Sequence, residues 1–188
     1  MVKLKNGKDI LIREAIKEDA KEILDYLNMV GGESDNLLFG ENEFFMTLEE
    51  KEKFIEASKN STSNGMFVGI VDGKIVSLGN VRSSKKTRIS HQGELAITVL
   101  RDYWGLGIGT LMMQEIINFA KASNQLEVLS LGVKAENVKG IALYKKLGFK
   151  EIGRFPKYFK IKGNYYDNIL MNLYLGDTHD KTAQITNR

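Results

Sequence analysis

The stretch Ile97-Thr98-Val99-Leu100-Arg101-Asp102-Tyr103-Trp104-Gly105-Leu106-Gly107-Ile108-Gly109-Thr110 joins a β-rich run to an amphipathic helix through three glycines at alternate positions. Residues 93–100 read as the strand. Downstream, Ile108, Met112, Ile116, Phe119 and Ala120 fall on one helical stripe. Glycine at such a junction admits backbone conformations closed to other residues and lets main-chain N–H groups approach an anion with no side chain between. The helix adds its own unpaired N–H groups and the positive end of its dipole. Phosphate binding is the default for this unit, and a tight turn without a ligand is the other reading. Two phosphate loops are excluded by the letters themselves. A dinucleotide fingerprint needs glycine where Thr110 stands, and the Gly-Lys-Ser/Thr ending of a nucleotide P-loop is absent.

Working outward, residues 9–14 form a short β-rich run, and Ile16, Ala20, Ile23, Leu24 and Leu27 follow at helical spacing. The pattern breaks into a Gly, Ser and Asn loop over 31–40. Helicity resumes at Thr47, where Glu50 three residues on completes a capping box, and a helix over about 47–60 is predicted. Residues 66–71 and 74–81 read as a hairpin around Asp72-Gly73. Beyond the central unit come a strand over 128–133, a short helix over 138–146, and closing strands over 149–154 and 166–175, with the lone Pro156 in the connection between them. Residues 176–188 offer little to bury and read as a frayed tail after a single domain spanning 9–175.

Composition narrows the function classes. The chain has 188 residues, 43% hydrophobic and 27% charged, which suits one globular core. Its formal net charge of +3 is too small for a dedicated nucleic-acid or membrane-surface protein, yet compatible with a small polyanionic ligand. Zero cysteines exclude disulfides, thiolate metal sites and cysteine nucleophiles, and no metal is expected. The first residues carry lysines without an apolar stretch, and no segment approaches the roughly 18 apolar residues of a membrane span, so a cytoplasmic protein is expected.

The run from Ile97 to Gly109 resembles the acyl-CoA pyrophosphate loop of the Gcn5-related N-acetyltransferase (GNAT) superfamily. About forty residues on, Asn137-Val138-Lys139-Gly140-Ile141-Ala142-Leu143-Tyr144-Lys145-Lys146-Leu147-Gly148-Phe149 is similar to that superfamily's second signature. Ile12-Arg13-Glu14 with Asp19 resembles its first strand and helix. Two departures stand out: Trp104 occupies a position where Arg or Gln is usual, and Gly140 one where alanine is common. The resemblance implies an α+β fold, with a mostly antiparallel sheet of six to seven strands, splayed at the acetyl-CoA site and flanked by about four helices. It implies acetyl-CoA as cosubstrate. Ile97 and Val99 would offer main-chain groups to its pantetheine arm, and Leu106, Gly107, Gly109 and Thr110 would cradle its pyrophosphate, in a cofactor-binding loop that also takes in Trp104, Gly105 and Ile108. Asn137 would hydrogen-bond it near its pantetheine end, Tyr144 would point its hydroxyl at the thioester sulfur, and Lys146, with Lys145, is near enough to serve the adenosine phosphates or simply forms solvated helix surface.

Acetyl transfer to an amine needs a neutral nitrogen, and an alkyl amine is uncharged in only about one molecule in 2,500 at pH 7. The resemblance makes Glu94, on the entering strand, the general base, with a surface ion pair as its ordinary alternative; His91 is a second candidate base. Tyr144 would be the acid that protonates the leaving thiolate, and the Val99 N–H would stabilise the oxyanion. For the acceptor, six acids and no base lie between Glu33 and Glu50 (Glu33, Asp35, Glu41, Glu43, Glu49, Glu50), which favours a cationic amine. Tyr158, Phe159, Tyr165, Tyr166 and Asp167 would form the other wall. The expected acceptor is a small primary amine, cationic or an amino acid; a protein N-terminus or lysine, or a non-catalytic acyl-CoA sensor, are the alternatives. The resemblance also allows a homodimer.

Overall fold

A computed structural model describes residues 1–176. Eight strands form one sheet: β1 (Val2–Lys3), β2 (Asp9–Glu14), β3 (Gly65–Val71), β4 (Lys74–Ser83), β5 (Gln92–Val99), β6 (Val128–Lys134), β7 (Lys150–Ile161) and β8 (Asn164–Tyr174). Four helices flank it: α1 (Ala20–Glu33), α2 (Leu48–Lys59), α3 (Ile108–Ala122) and α4 (Val138–Lys146). The strand order is β1-β2-β3-β4-β5-β6-β8-β7. One strand exceeds the expected six to seven, and it is the two-residue β1, folded back on β2 by a turn with Gly7 at φ 83.

Alternation along the strands sends neighbouring side chains to opposite layers. On β3, Phe67 joins Met112, Met113 and Ile116 of α3, whereas Met66 and Val68 join Ile23 and Leu27 of α1 and Ile55 of α2. At the start of α1, Arg13 grips Asp19 through two hydrogen bonds of 2.6 and 2.9 Å. The capping box of α2 forms as expected, with Thr47 Oγ1 accepting from the Glu50 N–H and the Glu50 carboxylate accepting from the Thr47 N–H.

Two segments differ from the sequence-based expectation. The predicted loop from residue 31 is still helix to Glu33, because Gly31 serves a close approach: a Cβ there would lie 2.2 Å from the Gly40 carbonyl oxygen. The closing hairpin is longer than predicted, turning at Lys162 and Gly163, both at positive φ. Pro156 sits within β7, in a bulge between Phe155 and Phe159 on the sheet's outer edge, where its missing N–H breaks no ladder.

The feature that positions the site is the single parallel junction. β5 and β6 pair only through Gln92–Val128, Gly93–Leu129 and Glu94–Ser130, after which β5 continues to Val99 and β6 to Lys134 unpaired with each other. The sheet therefore opens between them, as the expected splay required.

Candidate active site

A cleft of about 670 Å³ occupies this opening. The free edge of β5 at Ile97, Thr98 and Val99 forms one side, and the first turns of α3 and α4 form its end and far wall. The glycine loop takes its shape from two left-handed residues, Gly105 at φ 78 and Gly107 at φ 98, the latter capping α3. A side chain at either would be strained, although it would meet nothing within 4 Å. The amides from Gly105 to Gly109 find no acceptor among the turn and cap hydrogen bonds, while those of Thr110 and Leu111 turn back to the Gly107 carbonyl. These unpaired N–H groups stand at a helix N-terminus beside the cleft.

Most of the predicted residues meet here. Ile97, Val99, Trp104, Gly105 and Gly107 line the cleft from one side; Ile108, Gly109 and Thr110 continue along α3; Asn137 and Tyr144 face them from α4. Leu106 packs instead into the small cluster around Ile10 and Ile108, leaving its backbone as its contribution. Lys146 lies in the last turn of α4 and does not line the cleft, whereas Lys5 and Lys139 do. Lys5 precedes β2 with nothing in its local pattern to mark it.

Both departures from the family pattern have a local use. The Trp104 indole N–H donates to the Val99 carbonyl at 2.7 Å, tying the loop to the strand end and engaging one of the main-chain groups expected to face the cofactor. Asn137 is the N-cap of α4, its Oδ1 accepting from the Gly140 N–H at 3.0 Å. An alanine Cβ at Gly140 would lie 2.7 Å from Asn137 Nδ2, so glycine leaves room for this cap.

Tyr144 is buried, its ring 6.0 Å from that of Phe149. Burial pushes its hydroxyl up to about 12, so at neutral pH it keeps its proton and is a donor.

A second, smaller cavity of about 310 Å³ lies on the α1/α2 side and shares Ile97 and Thr98 with the cleft. Apolar groups dominate it, among them Leu27, Phe39, Phe44 and Leu78, and three charged residues reach it: Lys51, Arg82 and Glu94. Arg82 and Glu94 are register partners on β4 and β5, yet Glu94 enters no ion pair among the described residues. Glu94 stands three residues from Ile97, about 10 Å along the strand. Arg82 and Glu94 also border an open groove of about 900 Å³ lined mainly by polar residues. At the junction of cleft and cavity, the buried Tyr26 hydroxyl donates to Thr98 Oγ1 at 2.9 Å and fixes that side chain.

Three groups of candidate acceptor-site residues lie away from this second cavity. His91 lines neither space. The six acids between Glu33 and Glu50 do not line the cavity, because local structure consumes most of them. Glu33 accepts from the Arg101 N–H at 2.7 Å, Glu43 from the Gly40 N–H at 2.7 Å, Glu49 pairs with Lys53, and Glu50 caps α2. The aromatic hairpin is not a wall either. Tyr158 packs edge-on against Phe155 and Phe159, Tyr166 lies under Lys134, and Asp167 binds Arg154 and the Lys157 N–H. Sequence reasoning missed Lys51, which follows the acid run directly and resembles the solvated charges around it.

Among the described residues no helix is long and apolar enough to cross a membrane, and no group of three or more His, Asp or Glu is placed to hold a metal.

Known proteins resemble this chain in sequence and in fold. The model of the acetyltransferase (GNAT) family matches residues 35–149. An N-alpha-acetyltransferase of Sulfurisphaera tokodaii is 30% identical over 164 residues, covering 82% of this chain and 89% of the relative. An L-amino acid N-acetyltransferase of Escherichia coli is 28% identical over 104 residues, 55% of this chain and 64% of the relative. The crystal structure of a GNAT-family acetyltransferase from Streptococcus pneumoniae superposes with a TM-score of 0.86 at 32% identity, covering 88% of this chain and 99% of that one.

Proposed function

The chain belongs to the GNAT acetyltransferase family and is an N-acetyltransferase; from that premise we propose that it moves the acetyl group of acetyl-CoA directly to the primary amine of a small molecule seated in the 310 Å³ cavity. The observation that carries this reading is the meeting of the two spaces at Ile97 and Thr98, with Tyr144 on the cleft side and Glu94 on the other.

The cleft's residues fit acetyl-CoA. Free amides from Gly105 to Gly109 suit a pyrophosphate, Lys5 and Lys139 suit further phosphate charge, and the unpaired edge of β5 suits an extended amide-bearing arm. Acetyl-CoA supplies an activated acyl group and a thiolate leaving group. Glu94 takes the proton from the amine nitrogen, through water given its distance along the strand from Ile97. The Tyr144 hydroxyl, held protonated by burial, donates to the departing sulfur. With no cysteine in the chain, no acetyl-cysteine intermediate can form, which favours attack by the amine itself.

The groove bordering Arg82 and Glu94 favours a second reading, in which a polypeptide N-terminus enters through it. Thiol release from acetyl-CoA across a panel of amino acids, polyamines and short peptides tests both readings. Glu94→Gln is expected to lower kcat/KM about 100-fold on any accepted amine and to steepen its rise with pH. An inert panel overturns the enzymatic reading, and transfer to peptides alone replaces the first reading by the second.

A further inference from the structure

Among the described residues two lysines are buried without an ion pair, Lys51 and Lys134; Lys134 lies against the Tyr166 ring at 3.9 Å, whereas Lys51 lines a cavity. Lys51 sits on the inward face of α2, four residues before Ile55 and seven before Ser58, and all three are buried. Only 2% of its surface is exposed, yet no ion pair among the described residues includes it. Its Nζ lies 4.8 Å from the centre of the Phe44 ring and 5.8 Å from that of Phe54, an aromatic bracket that offsets part of the lost hydration without neutralising the charge. Both rings and Lys51 itself line the smaller cavity. Glu94 lines that cavity too but is not within ion-pair distance of Lys51.

A buried cation without a counter-ion is costly, and a cavity that presents such a cation to its interior, with apolar walls between it and a carboxylate, complements a ligand carrying the opposite charges. We propose that Lys51 anchors a carboxylate of the acceptor, so that the substrate is an amino acid with an apolar side chain rather than a polyamine or a peptide. This rests on the reading of the cavity as the acceptor site. The amine then lies toward Ile97 and Thr98, where the cavity meets the cleft, the carboxylate meets Nζ, and the side chain packs among Leu27, Phe39 and Leu78. The volume, at the small end of the range for ligand sites, suits a molecule of this size. Arg82, the cavity's other cation, is exposed, so a carboxylate paired there stays hydrated and gains less.

The test compares an apolar amino acid, its carboxamide and spermidine as acceptors, by thiol release, in the wild type and in Lys51→Met. The wild type is expected to favour the acid over the amide by at least about tenfold in kcat/KM, with the difference in KM. Lys51→Met is expected to bring that ratio close to one by raising the KM for the acid. Equal use of acid and amide by the wild type overturns the inference without any variant, so misfolding of Lys51→Met does not rescue it. A ratio unchanged in a folded Lys51→Met also overturns it. Acetylation of spermidine or of the amide alone removes the inference and leaves the N-acetyltransferase reading intact, whereas silence on every amine removes both.

Discussion

The cleft assigned to acetyl-CoA and the cavity assigned to the acceptor share Ile97 and Thr98, yet they are made in different ways. The first, in the proposed reading, would hold its ligand largely through backbone: unpaired amides, a free strand edge and two left-handed glycines, all within residues 97–110, with α4 opposite. The second is assembled from side chains of α1, the segment between α1 and α2, α2, β3, β4 and β5. A backbone site is rigid and tolerant of sequence change except at the positions that set its geometry. A side-chain site can be rewritten one residue at a time, so the cofactor can stay constant across a family while the acceptor changes.

The largest expected effect breaks the shared boundary. Tyr144→Phe removes the donor at the leaving sulfur and is expected to cut kcat by about 100-fold or more, while calorimetry still detects acetyl-CoA binding. Unchanged turnover would show that the proton comes from elsewhere, and a wild type that binds acetyl-CoA without turnover would be a sensor.

On the backbone side, Gly107→Ala forces an ordinary residue into a left-handed conformation at a cost of about 1–2 kcal/mol. The expected result is a roughly tenfold higher KM for acetyl-CoA with little change in the KM for the amine. A rise in both equally would mean that the two sites are less separable than their construction suggests.

On the side-chain side, Lys51→Met is expected to raise thermal stability by a few degrees at pH 7, since it replaces an unpaired buried charge by an apolar group of similar length. Burial lowers the Lys51 ammonium to about 8, below its unfolded value of 10.5. Between those values the unfolded chain holds more protons than the folded one, so wild-type stability gains from this group as pH rises. The advantage of Lys51→Met should therefore be full below pH 8 and shrink toward pH 10.5, as measured by denaturant midpoints. A variant less stable than wild type at pH 7 would make Lys51 a structural residue.

The same division explains what the sequence disclosed. The glycine loop is legible because a backbone site needs particular residue types at fixed local spacing, and the Asn137–Tyr144 helix because its cap and its tyrosine lie within one short segment. The acid run misled because charge counted along a chain says nothing about direction: Glu43 and Glu50 turn back to cap their own segments, and Glu49 pairs within its helix. Lys51 was invisible for the converse reason. It lies among Glu49, Glu50, Glu52 and Lys53, and only the packing of α2 on α1 and β3 reveals that it points inward. The hairpin aromatics Phe155, Tyr158 and Phe159 stack on one another along a long ribbon, an arrangement that strand spacing alone does not distinguish from the wall of a site.

Trp104 is the only tryptophan in the chain, and its indole is half exposed on the wall of the cleft with its N–H held by Val99. All indole emission therefore originates at the junction between strand and glycine loop. The substitution that departs from the family's usual Arg or Gln equips the protein with its own fluorophore, placed where a cofactor's approach changes polarity and hydrogen bonding, so occupancy of the cleft can be followed in solution without a label.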